Sequence, residues 1–130
     1  MIVLDTSAAI DWMLRTPTGQ RIAHRIFSRG EPVHTVHLLD LEFVQVMRRM
    51  VRERTLTASR AEEAIEDLST LRMMRYPPAP LLKRVWQLRQ KLSAYDAAYV
   101  ALAEELKAPL LTRDRRIAAA PGHTATVEVF

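Results

Sequence analysis

Short apolar runs alternate along the chain with longer stretches of helical periodicity. β-favouring runs predict five strands, at 1–4, 32–36, 73–76, 110–112 and 123–130. Apolar residues at helical spacing, with capping or breaking residues at their ends, predict seven helices, at 8–14, 17–28, 37–52, 60–72, 81–88, 93–106 and from about 113. Strands that alternate with helices are typical of crossover units. We therefore expect an α/β fold with a central, mostly parallel sheet and helices on both faces.

Length and composition exclude several classes of protein. A chain of 130 residues, 48% hydrophobic and 26% charged, has the size of one ordinary domain, and we expect residues 1–130 to form it. No window approaches the ~20 apolar residues of a membrane span, and Asp5 interrupts the first apolar run before a signal peptide could form. A cytoplasmic protein with no membrane partner is expected. Because the chain has no Cys, any catalysis must use carboxylates, hydroxyls or the four His.

The net charge of +4 rests largely on arginine, which supplies sixteen of the nineteen basic residues. The guanidinium group pairs well with phosphate, so the excess favours a nucleic-acid partner. An arginine-rich, solvated surface in a protein from a GC-rich genome would have the same composition. The positions of the acids carry more information.

Three acids lie where ligands bind in sheets of the predicted kind. Asp5 follows the first strand directly, Asp114 follows the 110–112 strand by two residues, and Asp96 lies in the first turn of its helix. Ligands of open parallel sheets bind beyond the carboxyl ends of the strands. Each acid also has a structural interpretation, as a helix N-cap or, with Ser93, as part of a capping box. Both interpretations stay open at this point.

Glu42 is harder to explain as a structural residue. It lies within the apolar stretch 38–44, which is predicted to be helix interior, where capping is excluded. A carboxylate buried without a partner is costly, so a cation or an arginine is expected opposite it. Asp40 lies two residues away and therefore roughly 200° around the helix. At most one of these two acids faces a common site.

Carboxylates that converge at one sheet edge raise each other's pKa values unless a cation lies among them. Oxygen ligands without Cys favour Mg²⁺ or Mn²⁺. Such an ion lowers the pKa of a bound water and stabilises the charge that builds on a phosphate. On a basic chain, the acids therefore indicate metal-dependent hydrolysis of a phosphodiester.

The sequence resembles the PIN-domain ribonucleases, in particular the VapC-type toxins of VapBC toxin–antitoxin pairs. The matching stretches are 2–8, 38–44, 92–103 and 110–114. The resemblance implies a single PIN domain, a three-layer α/β/α sandwich and an endoribonuclease activity that hydrolyses RNA, with tRNA or rRNA as the expected target. It also implies a Mg²⁺ or Mn²⁺ cofactor, a homodimer, and a small VapB-like antitoxin that inserts a segment into the groove of the toxin.

The resemblance further implies a set of site residues. The four catalytic acids are Asp5, Glu42, Asp96 and Asp114. Two of them, Asp5 and Asp96, are expected to bind the metal, and the other two to act directly or through water. The expected supporting hydroxyls, which would orient a carboxylate or a metal-bound water, belong to Thr6, Ser7 and Thr112.

One departure from the family pattern follows the fourth acid. Many relatives carry a further Asp or Asn there, whereas this chain has Arg115 and Arg116. The difference favours one tightly held ion, with a second arriving only with substrate. Together with Arg113, this pair is a candidate contact for RNA phosphates; a solvated helix turn is the alternative.

Two rival functions stay open. Asp5 could be the nucleophile of a phosphatase, although such enzymes usually need a second Asp where this chain has Ser7. The other rival is a non-catalytic RNA- or protein-binding module on a PIN-like fold. His34 and His37 lack a third ligand nearby and are expected to be structural. Phe27 is expected to face inward on its helix. Five further apolar side chains are expected mostly in the core, with some of the five lining a partner groove: Trp12, Met13, Met73, Met74 and Trp86.

Overall fold

A computed structural model describes residues 1–130 of the protein. Five strands alternate with seven α-helices and one short 3₁₀ turn, Ala79–Leu81. The strands are β1 (Ile2–Leu4), β2 (Val33–Val36), β3 (Met73–Tyr76), β4 (Leu110–Thr112) and β5 (Val127–Val129). The helices are α1 (Thr6–Met13), α2 (Pro17–Ser28), α3 (Leu38–Arg52), α4 (Ala58–Thr70), α5 (Leu82–Gln87), α6 (Ala94–Leu106) and α7 (Arg115–Ala119).

The strands form one parallel sheet in the order β3-β2-β1-β4-β5, which confirms the predicted α/β/α class. The chain moves outward from β1 through β2 to β3, then returns to the other side of β1 for β4 and β5. The topological switch point of the sheet therefore lies between β1 and β4. In open α/β sheets, the crevice beyond the carboxyl ends of the strands at this point is the usual ligand site.

The core forms around the two central strands and α6. Every residue of β1 and β4 is buried, as expected for parallel strands covered on both faces. Seven consecutive residues of α6, Ala97–Ala103, are buried as well, and this explains why the helix is rich in alanine and leucine rather than amphipathic. None of the helices has the length and apolar character needed to cross a bilayer.

The structure corrects two parts of the prediction: the extent of the last strand and the burial of three apolar side chains. The last strand covers only Val127–Val129, because His123 and Thr124 bond instead to the Ile117 carbonyl and the Glu104 carboxylate. Three apolar side chains assigned to the core are exposed: Phe27 (68%), Met74 (57%) and Trp86 (66%). Their elements explain this, since β3 is an edge strand, α5 has no buried residue, and Phe27 makes a T-shaped contact with Trp12, which is itself only half-buried.

Gly19 permits the close packing of α2 on α1. A Cβ atom at this position would lie 1.8 Å from the carbonyl oxygen of Asp11. Because that neighbour is backbone, it cannot move aside as a flexible side chain would. A glycine is therefore required for α2 to approach the C-terminal end of α1.

Candidate active site

A cleft of about 740 Å³ opens beyond the carboxyl ends of β1 and β4, at the switch point of the sheet. The structure brings all four predicted acids into this cleft, although they come from four separate segments of the chain. Its polar lining consists of Asp5, Thr6, Ser7, Glu42, Gln45, Arg49, Asp96, Tyr99 and Asp114. Its apolar lining consists of Ile10, Leu38, Leu41, Val44 and Val46.

Asp5 is the most buried of the four acids, only 4% exposed. Its Oδ1 accepts hydrogen bonds from the backbone N–H of Ala8 (3.0 Å) and from Ser7 Oγ (2.7 Å), and its Oδ2 accepts one from Thr112 Oγ1. The bond from Ala8 makes Asp5 the N-cap of α1. Burial raises the pKa of Asp5, the hydrogen bonds oppose this shift, and the negative charge of Asp96 adds to it. The carboxylate is therefore fixed in orientation.

Ser7 and Thr112 connect Asp5 to the segment that carries Asp114. The Thr112 hydroxyl accepts a hydrogen bond from the backbone N–H of Asp114 (3.0 Å), and Ser7 Oγ accepts one from the backbone N–H of Arg113 (2.9 Å). Each hydroxyl thus donates to Asp5 and accepts from the turn after β4. This arrangement holds the first and the fourth acid in a fixed relation across the switch point.

Glu42 lies on the opposite wall, on α3, where two hydroxyl groups hold its carboxylate. Its Oε1 lies 2.8 Å from Thr6 Oγ1 and 2.5 Å from the hydroxyl oxygen of Tyr99, and these two hydroxyls are 2.7 Å apart. Burial, together with the hydrogen bond to Glu42, raises the pKa of Tyr99 above its ordinary value, so this hydroxyl stays protonated and donates. Asp40 points away and forms an ion pair with Arg75, so only one of the two acids faces the cleft, as predicted.

Asp96 and Asp114 differ in electrostatic state. Burial is the main cause of the raised pKa of Asp96, and repulsion from Asp114 and from Glu42 adds to it. The pKa of Asp114 is lowered instead, mainly because Arg116 donates two side-chain bonds to its carboxylate, at 3.0 and 2.7 Å. Asp114 also caps α7 through the backbone N–H of Arg116 (2.9 Å).

A model of the PIN domain matches residues 2–122. The chain belongs to the PIN-domain family. Within the family it is similar to ribonuclease VapC12 of Mycobacterium tuberculosis, with 40% identity over 129 residues that cover 99% of this chain and 98% of the relative. Sequence and fold thus agree with the resemblance drawn from the motifs.

Solved structures support the fold of this PIN domain. PAE2754 from Pyrobaculum aerophilum superposes with a TM-score of 0.72 at 21% identity, over 98% of this chain and 83% of that one. A toxin–antitoxin complex from Klebsiella pneumoniae contains a chain that superposes with a TM-score of 0.64 at 23% identity, over 99% of this chain and 97% of that one.

The arginines of the PIN domain are unequally available at the cleft. Arg113 forms an ion pair with Asp11 and donates to the backbone carbonyl of Phe130 (3.1 Å). Arg116 is occupied by Asp114, so Arg115 is the one member of the predicted trio without an ion pair. Arg49 lines the cleft and makes no ion pair.

Two cleft residues of this PIN domain, Tyr99 and Arg49, are not among the predicted site residues. A signal existed for both. Tyr99 lies three residues after Asp96, and Arg49 lies two helical turns after Glu42, so each shares a helix face with an acid of the site. Of the two histidines expected to be structural, His34 is buried and contacts the Tyr76 hydroxyl (2.8 Å), whereas His37 is exposed.

Proposed function

We propose that this PIN domain is a metal-dependent endoribonuclease, the toxin of a type II toxin–antitoxin pair, which hydrolyses phosphodiester bonds in RNA such as tRNA or rRNA. The observation that carries the proposal is the cleft itself. Four carboxylates line one depression at the switch point of a PIN fold, next to an unpaired arginine, in a chain 40% identical to a ribonuclease.

The donor set of the cleft suits a hard divalent cation. All the donors are oxygen atoms, and desolvation raises the pKa of both Asp5 and Asp96, so a cation between them would be stabilised. No group of three or more Asp, Glu or His side chains is arranged to hold an ion by itself. Mg²⁺ does not need one, because it keeps several waters and is often held by one or two carboxylates and a substrate phosphate.

We assign Asp5 and Asp96 as the direct ligands of Mg²⁺ or Mn²⁺, and Glu42 and Asp114 as ligands acting directly or through water. When bound, the ion lowers the pKa of water and neutralises charge on the phosphate. The chain supplies orientation: Ser7 and Thr112 fix the Asp5 carboxylate, as described above. Preorganised groups of this kind avoid reorganisation during the reaction, which is where much of the rate enhancement arises.

Two further features of the cleft support the two partners that this proposal names, an RNA and an antitoxin. Arg49, with Arg48 and Arg52 on the same helix end, provides cations free of ion pairs beside the cleft, which suits a polyanion. The apolar side of the cleft includes the exposed residues Leu41 and Val44, which suits the inserted segment of a VapB-like antitoxin. A homodimer is proposed from the resemblance to the VapC toxins.

The test is to sequence RNA 5′ ends after brief expression of the wild type beside an Asp96→Ala control. The proposal expects a small set of new 5′ ends that appear only with the wild type, and cleavage by the purified protein that stops in excess EDTA. Cleavage that continues in EDTA would contradict the metal mechanism. RNA binding without cleavage in any divalent metal would instead identify a non-catalytic binding module.

A further inference from the structure

Charge is distributed very unevenly in the segment that leads into the active site. No Asp or Glu occurs between Asp67 and Asp96, whereas six cations do: Arg72, Arg75, Lys83, Arg84, Arg89 and Lys91. Arg75 and Arg84 are neutralised by acids from other elements, Asp40 and Glu104. The three cations at α5 and the turn after it, Lys83, Arg89 and Lys91, make no ion pair.

An exposed tryptophan lies among these free cations. Trp86, on α5, is 66% exposed, although nearly all large apolar residues of the central strands are buried. The guanidinium carbon of Arg89 lies 4.2 Å from the centre of the Trp86 ring, and Arg89 Nη1 donates to the Trp86 carbonyl (3.0 Å). The guanidinium group thus lies over the indole ring, and only one of its five N–H donors is bonded.

The path of the chain connects this surface to the active site. Six residues, 88–93, join the end of α5 to the start of α6, and α6 begins two residues before Asp96. The residue directly before Asp96 is Tyr95, a second aromatic side chain with 60% exposure. Ten residues of sequence therefore separate Trp86 from Asp96, and Arg89, Lys91 and Tyr95 lie between them along the chain.

We propose that Trp86, Arg89 and Tyr95 form a stacking platform that binds unpaired bases of the same RNA strand whose phosphate occupies the cleft. Bases stack on aromatic side chains and on guanidinium planes, and free lysines and arginines track the backbone phosphates. The lack of any acid in this segment argues for a polyanionic occupant rather than a protein of mixed charge. The inference rests on the proposed ribonuclease function and specifies that the bound strand is single-stranded at this point.

The test uses the full chain and a fluorescein-labelled oligouridine of about 12 nucleotides, within the usual range for single-strand sites. Binding is measured by fluorescence anisotropy in EDTA, which prevents cleavage. Trp86→Ala should weaken binding about tenfold, as expected for the loss of one stacked base, while Trp86→Tyr should retain most of the affinity. Phe27→Ala is the matched control, because Phe27 is equally exposed (68%) but lies on α2, and it should bind like the wild type.

A second measurement reports stacking directly. The chain has two tryptophans, so Trp12→Phe leaves Trp86 as the single indole fluorophore. Oligouridine should quench this fluorescence, with a midpoint equal to that of the anisotropy titration. With an RNA that the wild type cleaves, Trp86→Ala should raise KM and leave kcat unchanged, because the platform binds bases and does not touch the reacting phosphate.

The outcomes separate this inference from the proposed function. Wild-type cleavage together with unchanged binding and KM in both Trp86→Ala and Arg89→Ala would overturn the platform and leave the ribonuclease intact. Quenching of Trp86 by RNA in a protein that never cleaves would refute the ribonuclease and retain the platform. A change in the sedimentation mass of Trp86→Ala, with no change in RNA affinity, would overturn the platform in favour of a protein contact.

Discussion

Tyr99→Phe should separate the role of the Tyr99 hydroxyl from that of its ring. The substitution removes one oxygen atom and leaves the aromatic ring in a site that is only 2% exposed, so the packing of α6 is preserved. It also removes the 2.5 Å hydrogen bond to Glu42 and the 2.7 Å contact with Thr6. Glu42 then keeps the Thr6 hydroxyl alone as a donor, and its carboxylate is free to rotate in the cleft.

The size of the effect follows from these contacts. A hydrogen bond to a charged group contributes about 1.5–3 kcal/mol to stability, and the retained bond from Thr6 reduces the net loss to about 1–2 kcal/mol. For 130 residues the entropy of unfolding is roughly 0.27 kcal/mol/K, so Tm should fall by about 4–7 °C. Loss of a partner that orients a metal-site carboxylate typically lowers activity by about 10- to 100-fold. Because the proposed function assigns Glu42 to the metal site and not to substrate binding, the loss should appear in kcat rather than in KM.

The assay combines thermal unfolding with steady-state cleavage kinetics, and Tyr95→Phe is the matched control. Tyr95 lies one helical turn before Tyr99 on α6 but is exposed and makes no side-chain hydrogen bond; Tyr95→Phe keeps the ring that the proposed platform uses, so Tm and kcat should not change. Thr6→Val should also lower kcat, and the double variant with Tyr99→Phe should be non-additive, because both hydroxyls contact Oε1 of Glu42. If Tyr99→Phe lowers Tm and leaves kcat at the wild-type value, Tyr99 supports only the fold and the reasoning is wrong.

Three further predictions test the electrostatics and the packing. Because the pKa of Asp96 is raised, the folded state binds the proton of this carboxyl more tightly than the unfolded state does, and stability falls as pH rises above about 4. Asp96→Asn should flatten this decline in Tm and weaken the stabilisation of the protein by Mg²⁺. An unchanged dependence of Tm on pH would contradict this prediction. Arg116→Ala frees the Asp114 carboxylate and should tighten Mg²⁺ binding in calorimetry; weaker binding would refute the competition. Gly19→Ala should lower the free energy of unfolding in urea by ~1–3 kcal/mol, because the new Cβ atom would meet the backbone of Asp11. Wild-type stability of this variant would show that α1 and α2 can move apart at little cost.

The sequence predicted most of the fold because its signals are local. Capping residues begin the helices as expected: Thr16 caps α2, Thr57 caps α4 and Ser93 caps α6. The buried strands are continuous β-favouring runs. The errors have a different origin. A short helix such as α5 contains apolar residues at helical spacing whether or not another element covers them, so the exposure of Trp86 could not be derived from periodicity.

The acids of the site could be predicted from the sequence, but most of the contacts among the site residues could not. Strand ends located Asp5 and Asp114, because parallel strands end at one edge of the sheet. The hydroxyl network required tertiary distances, since Thr6 and Tyr99 are separated by 93 residues in sequence and still meet at Glu42. The ion pair between Arg113 and Asp11 likewise joins two residues that are far apart in the sequence. Arg113, which is expected to contact RNA, is held by an acid 102 residues away in the chain, and no local pattern places the two side by side.

Capping and lining the cleft are not alternatives for Asp5, because one carboxylate does both. Its Oδ1 accepts a hydrogen bond from the backbone N–H of Ala8 in the first turn of α1, and its Oδ2 accepts one from the Thr112 hydroxyl. Asn caps helices about as well as Asp, so Asp5→Asn keeps the cap and removes the charge. Because burial raises the pKa of Asp5, the charged form is disfavoured in the folded state, and Asp5→Asn should unfold at the same or a higher temperature at pH 7 while losing RNA cleavage. A large drop in Tm would mean that the charge itself supports the fold. Full cleavage would mean that the carboxylate at the switch point of the sheet is only a cap.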